Sequence, residues 1–141
     1  MIHRHATAVW KGGLKEGTGN ITTESAVLDA TPYSFARRFE GEAGTNPEEL
    51  IAAAHAGCFS MAFSAQLGQA GHTPERIETR AVVSLERGPE GFVIPEIALD
   101  VQAKIPGIDE ALFHRLATQA KETCPISRLM NAKISMTAKL E

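Results

Sequence analysis

Cysteine is scarce in this chain: there are two in 141 residues, Cys58 and Cys124, set far apart. Two are too few to staple a small secreted fold, and in a reducing compartment such a pair is catalytic, metal-binding or inert. A dominant charge is lacking as well. Fourteen lysines and arginines face 17 acidic residues, the net charge is −3 with histidine neutral, and no basic run stands out. The electrostatic footprint of a nucleic-acid binder is therefore missing, and no nucleic-acid partner is expected. There is no long unbroken apolar run either. Residues 50–67 come nearest, but His55, Ser60, Ser64 and Gln66 interrupt them, short of the ~18 uninterrupted residues of a membrane span. The opening Met-Ile-His-Arg-His lacks the apolar core of a secretory signal. The expectation is a cytoplasmic protein with no membrane partner. What is present, 43% hydrophobic and 22% charged residues, suffices to bury a core. The length suits a single domain over residues 1–141, or one subunit of an oligomer whose core a partner completes.

Periodicity then orders the chain. Residues 5–10 suit a strand, Lys11-Gly12-Gly13 a turn, and residues 17–23 a second strand. Pro32-Tyr33-Ser34-Phe35 leads into a third short strand ending near Arg38-Phe39. Thr45-Asn46-Pro47-Glu48-Glu49 is a helix start: Asn46 caps, Pro47 fits the first helical position, and Glu49 stands where a capping box places its acid. From Leu50 to Leu67, apolar and small residues occupy nearly every face, which predicts a helix buried all round. Residues 77–85 and 97–105 alternate as two strand faces around a Gly88-Pro89-Glu90-Gly91 turn. Asp109 caps a second helix whose inner face holds Leu112, Leu116 and Phe113. Pro125 starts a short helix, and residues 134–140 alternate as a last strand. The sum is an α+β fold, with antiparallel sheets from the N- and C-terminal strands around a long buried central helix.

The cysteines differ in setting. Cys124 precedes Pro125 at a helix start, where unpaired backbone N–H groups favour an anion, and the thiolate is the nucleophile. It reads as reactive, or as a residue that merely lands at a helix junction. Cys58 lies deep in a helix beside Phe59, Met61 and Phe63, where apolar burial raises a thiol pKa, so on local grounds it reads as packing. A nucleophilic Cys58 needs a cation from elsewhere, with His55 and Arg38 as candidates. Glu49 caps the helix or anchors such an arginine. Glu49 and Cys58 are about 13 Å apart along the helix axis and half a turn around it, so they cannot meet on one helix. A site using both draws on another chain, most simply across a twofold interface.

"RFEGEAGTNPEELIAAAHAGCFSMAFS" (38–64), "PGID" (106–109) and "CPIS" (124–127) together resemble the OsmC/Ohr family, in its osmotically inducible protein C branch. The resemblance extends over nearly the whole chain, including "TESAVLDATPYSF". It implies an intertwined α+β homodimer that reduces peroxides, organic hydroperoxides above all, without metal, flavin or other cofactor. It further implies that Cys58 is the peroxidatic thiol, Cys124 the resolving one, and Arg38 with Glu49 the salt-bridged pair that activates the thiolate. Electrons would come from a dithiol such as a lipoylated protein. Phe59, Met61 and Phe63 are expected to line the substrate site. Two other readings compete. One is a metal site from His55, Cys58 and Cys124, with His3 and His5 as further candidate ligands, which lacks paired CxxC spacing. The other is a redox-silent structural dimer, which has no need to keep Arg38, Glu49 and both cysteines together.

Overall fold

The computed structural model describes all residues, Met1–Glu141. The chain forms two compact units, Met1–Leu50 and Ile51–Glu141.

The first unit is a three-stranded antiparallel sheet, β1 (Ala6–Lys11), β2 (Thr18–Thr23) and β3 (Thr31–Tyr33), followed by a short helix α1 (Phe35–Phe39). Gly19 of β2 sits against the rings of Trp10 and Tyr33, where a Cβ would collide with both. Glycine at this position lets the two aromatics approach to 5.5 Å between centroids. The third strand is shorter than the sequence suggested. The chain becomes helical at Phe35 because Ser34 caps it, accepting a hydrogen bond from the Arg37 N–H at 3.2 Å. Phe35 and Phe39 then stack one turn apart at 4.8 Å. Arg38 therefore stands in the last turn of a helix rather than at a strand end, next to the partial negative charge of the helix C-terminus.

Helix α2 (Pro47–Gln69) begins as its sequence dictates. Pro47 opens it, the Asn46 side-chain oxygen accepts from the Glu49 N–H at 2.8 Å, and the Thr45 hydroxyl donates to the Glu49 carboxylate at 3.1 Å. Its burial departs from the expectation. A single stripe, His55, Phe59, Phe63 and Leu67, is buried, while Met61 is 77% exposed. The i, i+4 spacing of that stripe is one face of a helix, and one chain covers only that face. By length and mean hydropathy (1.3 over 18 residues) α2 is long and apolar enough to cross a bilayer. A stripe that includes a buried, hydrogen-bonded histidine and is packed into a protein core is instead that of a core helix.

The second unit carries the other sheet, in the order β4 (Arg76–Gly88), β5 (Gly91–Lys104), β6 (Lys133–Leu140). The β4–β5 hairpin is antiparallel, as its two alternating runs predict, with a bulge between Ser84 and Glu86. The last strand corrects the expectation of antiparallel pairing: β6 runs parallel to β5, with Leu99 opposite Met136. The reason is the connection. Helices α3 (Glu110–Thr123) and α4 (Pro125–Leu129) return the chain to the start of β5, the kind of crossover that parallel neighbours require. Asp109 caps α3 as expected, accepting from the Leu112 N–H at 2.8 Å.

The core of this unit joins Ile97, Leu99, Val101 and Ala103 of β5 to Phe113, Leu116, Ala117 and Ala120 of α3 and the α2 stripe. Phe63 is its hub, with Phe59 and Phe113 at 5.8 and 5.7 Å between ring centroids. Replacing Phe63 by Ala is expected to lower stability by about 3–5 kcal/mol, since the cavity adds to the lost transfer free energy. A denaturant titration checks this. A loss below about 1 kcal/mol would show that the site collapses or that the ring is not fully packed.

Candidate active site

Cys124 ends α3 and starts α4. Pro125 cannot continue the hydrogen-bond ladder, so the backbone turns at Cys124 (φ −53°, ψ 123°) and the next helix begins at once. This kink directs the buried Cys124 side chain at α2, where its sulfur meets that of half-buried Cys58 at 3.0 Å. Both are free thiols. A disulfide needs about 2.05 Å, so a shift of roughly 1 Å would join them.

The two sulfurs are electrostatically unequal. Burial pushes the Cys58 thiol up, the neighbouring Cys124 adds to this, and only the Ile126 backbone N–H works the other way. Burial also pushes on Cys124, but contact with Cys58, the backbone N–H and hydroxyl of Ser127, and the Ile126 N–H outweigh it and hold that thiol below its ordinary value. By distance alone either sulfur can donate in the shared contact. The surroundings therefore make the Cys124 thiol the more readily ionised of the two. This agrees with the local reading of the sequence, and it means that a nucleophilic Cys58 needs an added cation.

The first unit holds a prepared cation. Arg38 Nε lies 3.1 and 3.2 Å from the two carboxylate oxygens of Glu48, and its Nη2 lies 2.6 Å from one of them. Two nitrogens engaged by one carboxylate fix the guanidinium plane. Within one chain the acid that meets Arg38 is Glu48, the neighbour of the Glu49 that the sequence nominates. Neighbouring helical positions point about 100° apart, and Glu49 is turned toward Thr45 and the Asn46 cap. The helix start favours a carboxylate at either position, so the sequence offered no signal to separate them.

The expected substrate lining is also corrected. Phe59 and Phe63 are fully buried in the core of the second unit, and Met61 faces away from them, so the three do not share a surface. A cavity of about 270 Å³ in the first unit is lined instead by Trp10, Leu14, Tyr33, Phe35, Arg38 and Phe39. It sets the fixed guanidinium at the edge of an aromatic hollow. The sequence does not mark these aromatics as one surface, because they lie on three separate elements that only the fold gathers. No group of three His, Cys, Asp or Glu side chains is arranged to hold a metal ion, and the His55 Nε2 is engaged by Ser127 at 2.7 Å.

An α+β fold in which a helix cysteine faces a second cysteine at a helix junction, with an acid-anchored arginine elsewhere in the chain, defines a two-cysteine protein without a CxxC motif. A family model described as "OsmC-like protein" matches residues 39–139, and the chain belongs to that family. It is 50% identical over 140 residues to peroxiredoxin OsmC of Escherichia coli (strain K12), covering 99% of this chain and 98% of that protein. It is 32% identical over 139 residues to an organic hydroperoxide resistance protein of Xanthomonas axonopodis pv. citri (strain 306), covering 96% and 92% of the two chains. Among solved structures, that of the organic hydroperoxide resistance protein OhrB of Bacillus subtilis superimposes with a TM-score of 0.69 at 27% identity, covering 97% of this chain and 98% of that one.

Proposed function

We propose that this chain is a thiol-dependent peroxidase that reduces organic hydroperoxides to alcohols, with Cys58 as the peroxidatic thiol and Cys124 as the resolving one. The observation that carries the reading is the 3.0 Å approach of the two free sulfurs, in a chain half identical to a protein named a peroxiredoxin. In this reading Arg38, held by Glu48, comes to Cys58 and offsets the cost of ionising it in apolar surroundings. The thiolate attacks the distal peroxide oxygen. The O–O bond breaks, the departing alkoxide takes up a proton to become the alcohol, and Cys58 becomes a sulfenic acid. The Cys124 thiolate attacks that sulfur, an S–S bond forms, and hydroxide leaves as water after protonation. A dithiol, such as that of a lipoylated protein, reopens the bridge by exchange and is itself oxidised to a cyclic disulfide.

The same reading makes the protein a water-soluble, cytoplasmic homodimer whose residues 1–141 act as one domain. The faces of α2 left uncovered by one chain support the dimer, since an apolar helix exposed on several sides is stable only when another surface covers it. The aromatic hollow beside Arg38 suits the organic part of a hydroperoxide.

Peroxide consumption with cumene hydroperoxide and with hydrogen peroxide, each supplied with dihydrolipoamide and then with a monothiol, tests the proposal. The organic substrate is expected to turn over about tenfold faster or more, the worth of burying one apolar group, and the dithiol to outperform the monothiol. Equal rates with both peroxides would overturn the organic preference. No consumption of either would overturn the peroxidase reading.

A further inference from the structure

His55 is fully buried, and the peroxidase reading gives it no role. Its Nε2 lies 2.7 Å from the Ser127 hydroxyl, across 72 positions of sequence. Ser127 is the one buried side chain of α4; Ile126 is half-buried, and Pro125, Arg128 and Leu129 are exposed. Two buried polar groups cost free energy unless they satisfy each other. An apolar pair would fill the same space without that cost, but also without a fixed distance and direction. The Nδ1 of His55 has no hydrogen-bond partner. Burial lowers the His55 pKa, so the ring stays neutral and carries a single proton. On Nδ1 that proton would be an orphaned buried donor, the rarer and costlier fault, which puts it on Nε2. His55 therefore donates, and the Ser127 oxygen accepts.

On α2, His55 and Cys58 are three residues apart and share a face. Ser127 likewise follows Cys124, the cap of α4, by three. The four meet in pairs, His55 with Ser127 at 2.7 Å and Cys58 with Cys124 at 3.0 Å. A sulfur contact alone would leave the short α4 able to swing about it. A second, directional contact about one turn away removes that freedom.

We infer that the His55–Ser127 hydrogen bond is a clamp between α2 and α4 that holds the Cys124 sulfur within bridging reach of Cys58. Both are positioning residues, acting through where they keep α4. The clamp lowers the entropy cost of bridge closure, because α4 is already ordered in the dithiol state. Its part in turnover rests on the peroxidase reading, whereas its effect on bridge formation does not.

The test is equilibration of the full chain with mixtures of reduced and oxidised dithiothreitol, without peroxide. Oxidised dithiothreitol takes two electrons and two protons from Cys58 and Cys124, so the protein S–S bond forms as the reagent's opens. Alkylation of the remaining thiols, followed by mass spectrometry, gives the bridged fraction. Ser127→Ala is expected to lower the bridging constant about tenfold, the scale of one lost buried hydrogen bond with its partner left unpaired. His55→Asn, too short to reach Ser127, should do the same. Ser127→Thr and His55→Gln, which keep the hydroxyl and a distal N–H, should restore most of the constant. Ser60→Ala controls for a general loosening of α2, since it removes a 2.8 Å hydrogen bond to Thr79 on β4 instead. It should leave the constant within about twofold, as an independent site does. An unchanged constant in folded Ser127→Ala, or an equal fall in Ser60→Ala, overturns the clamp. Should Ser127→Ala and His55→Asn not fold, amide exchange at Arg128 in the unsubstituted dithiol form decides. The Arg128 N–H donates to the Cys124 carbonyl at 3.0 Å. Exchange slowed about tenfold or more against an unstructured chain supports a held α4, and unprotected exchange overturns it. A chain that consumes no peroxide but shows these shifts would sink the peroxidase reading and leave the clamp standing.

Discussion

Serine in place of Cys58 is expected to reduce peroxide consumption by a thousandfold or more, because removing the attacking atom leaves only what binding and electrostatics supply. Serine in place of Cys124 should give a different phenotype. The first equivalent of peroxide is still reduced, the sulfenate on Cys58 persists long enough for a dimedone-type probe to capture it, and the dithiol-driven cycle slows. The pair discriminates because the forces acting on each sulfur point in opposite directions. Within the second unit, Cys58 is pushed up by burial and by Cys124, while Cys124 is held down by Ser127, Ile126 and Cys58. If those forces alone decided the chemistry, Cys124 would attack first. A sulfenate trapped on Cys124 in the Cys58→Ser protein, with none on Cys58 in the converse variant, would reverse the proposed roles.

The second large effect concerns the cation. Removing the guanidinium with Arg38→Ala is expected to lower kcat/KM by about 10²–10³, the range for losing one prepared electrostatic group. Its pH–rate curve should also shift to higher pH, since Cys58 then keeps the raised value that burial gives it. Arg38→Lys should recover little, because a point charge cannot reproduce the two-nitrogen grip on Glu48. Glu48→Gln should lower kcat/KM by about tenfold or more through loss of the charge-assisted pair. Glu49→Gln should leave catalysis near the unsubstituted rate and cost stability by no more than about 1 kcal/mol, as a residue next to a cap does. Steady-state kinetics on these four variants separate the acids. Equal losses at both glutamates, or full activity in Arg38→Ala, would remove the activation step from the mechanism.

That contrast between adjacent glutamates marks where sequence reading stops. Thr45-Asn46-Pro47-Glu48-Glu49 declares a helix start through caps and a proline, all local chemistry. Which acid meets Arg38 depends on where α1 lies, and α1 itself was hidden. Pro32-Tyr33-Ser34-Phe35 looks like a strand until Ser34 is seen capping the Arg37 N–H. Phe59 and Phe63 illustrate the same limit from the other side. Their proximity to Cys58 in sequence suggested a substrate surface, but in a helix the neighbour at i+1 points to a different face, and theirs is the core.

Alternation, caps and turn residues acting over a few positions were enough to determine the β4–β5 hairpin, the start of α2, the Asp109 cap and the kink at Cys124-Pro125. The motif around the two cysteines identified the family. Tertiary structure alone decided the direction of β6, the choice of Glu48 over Glu49, the single covered face of α2 and the meeting of His55 with Ser127. Each of these depends on residues brought together across long stretches of chain, where hydrogen bonding and packing choose among partners that local propensity leaves equivalent.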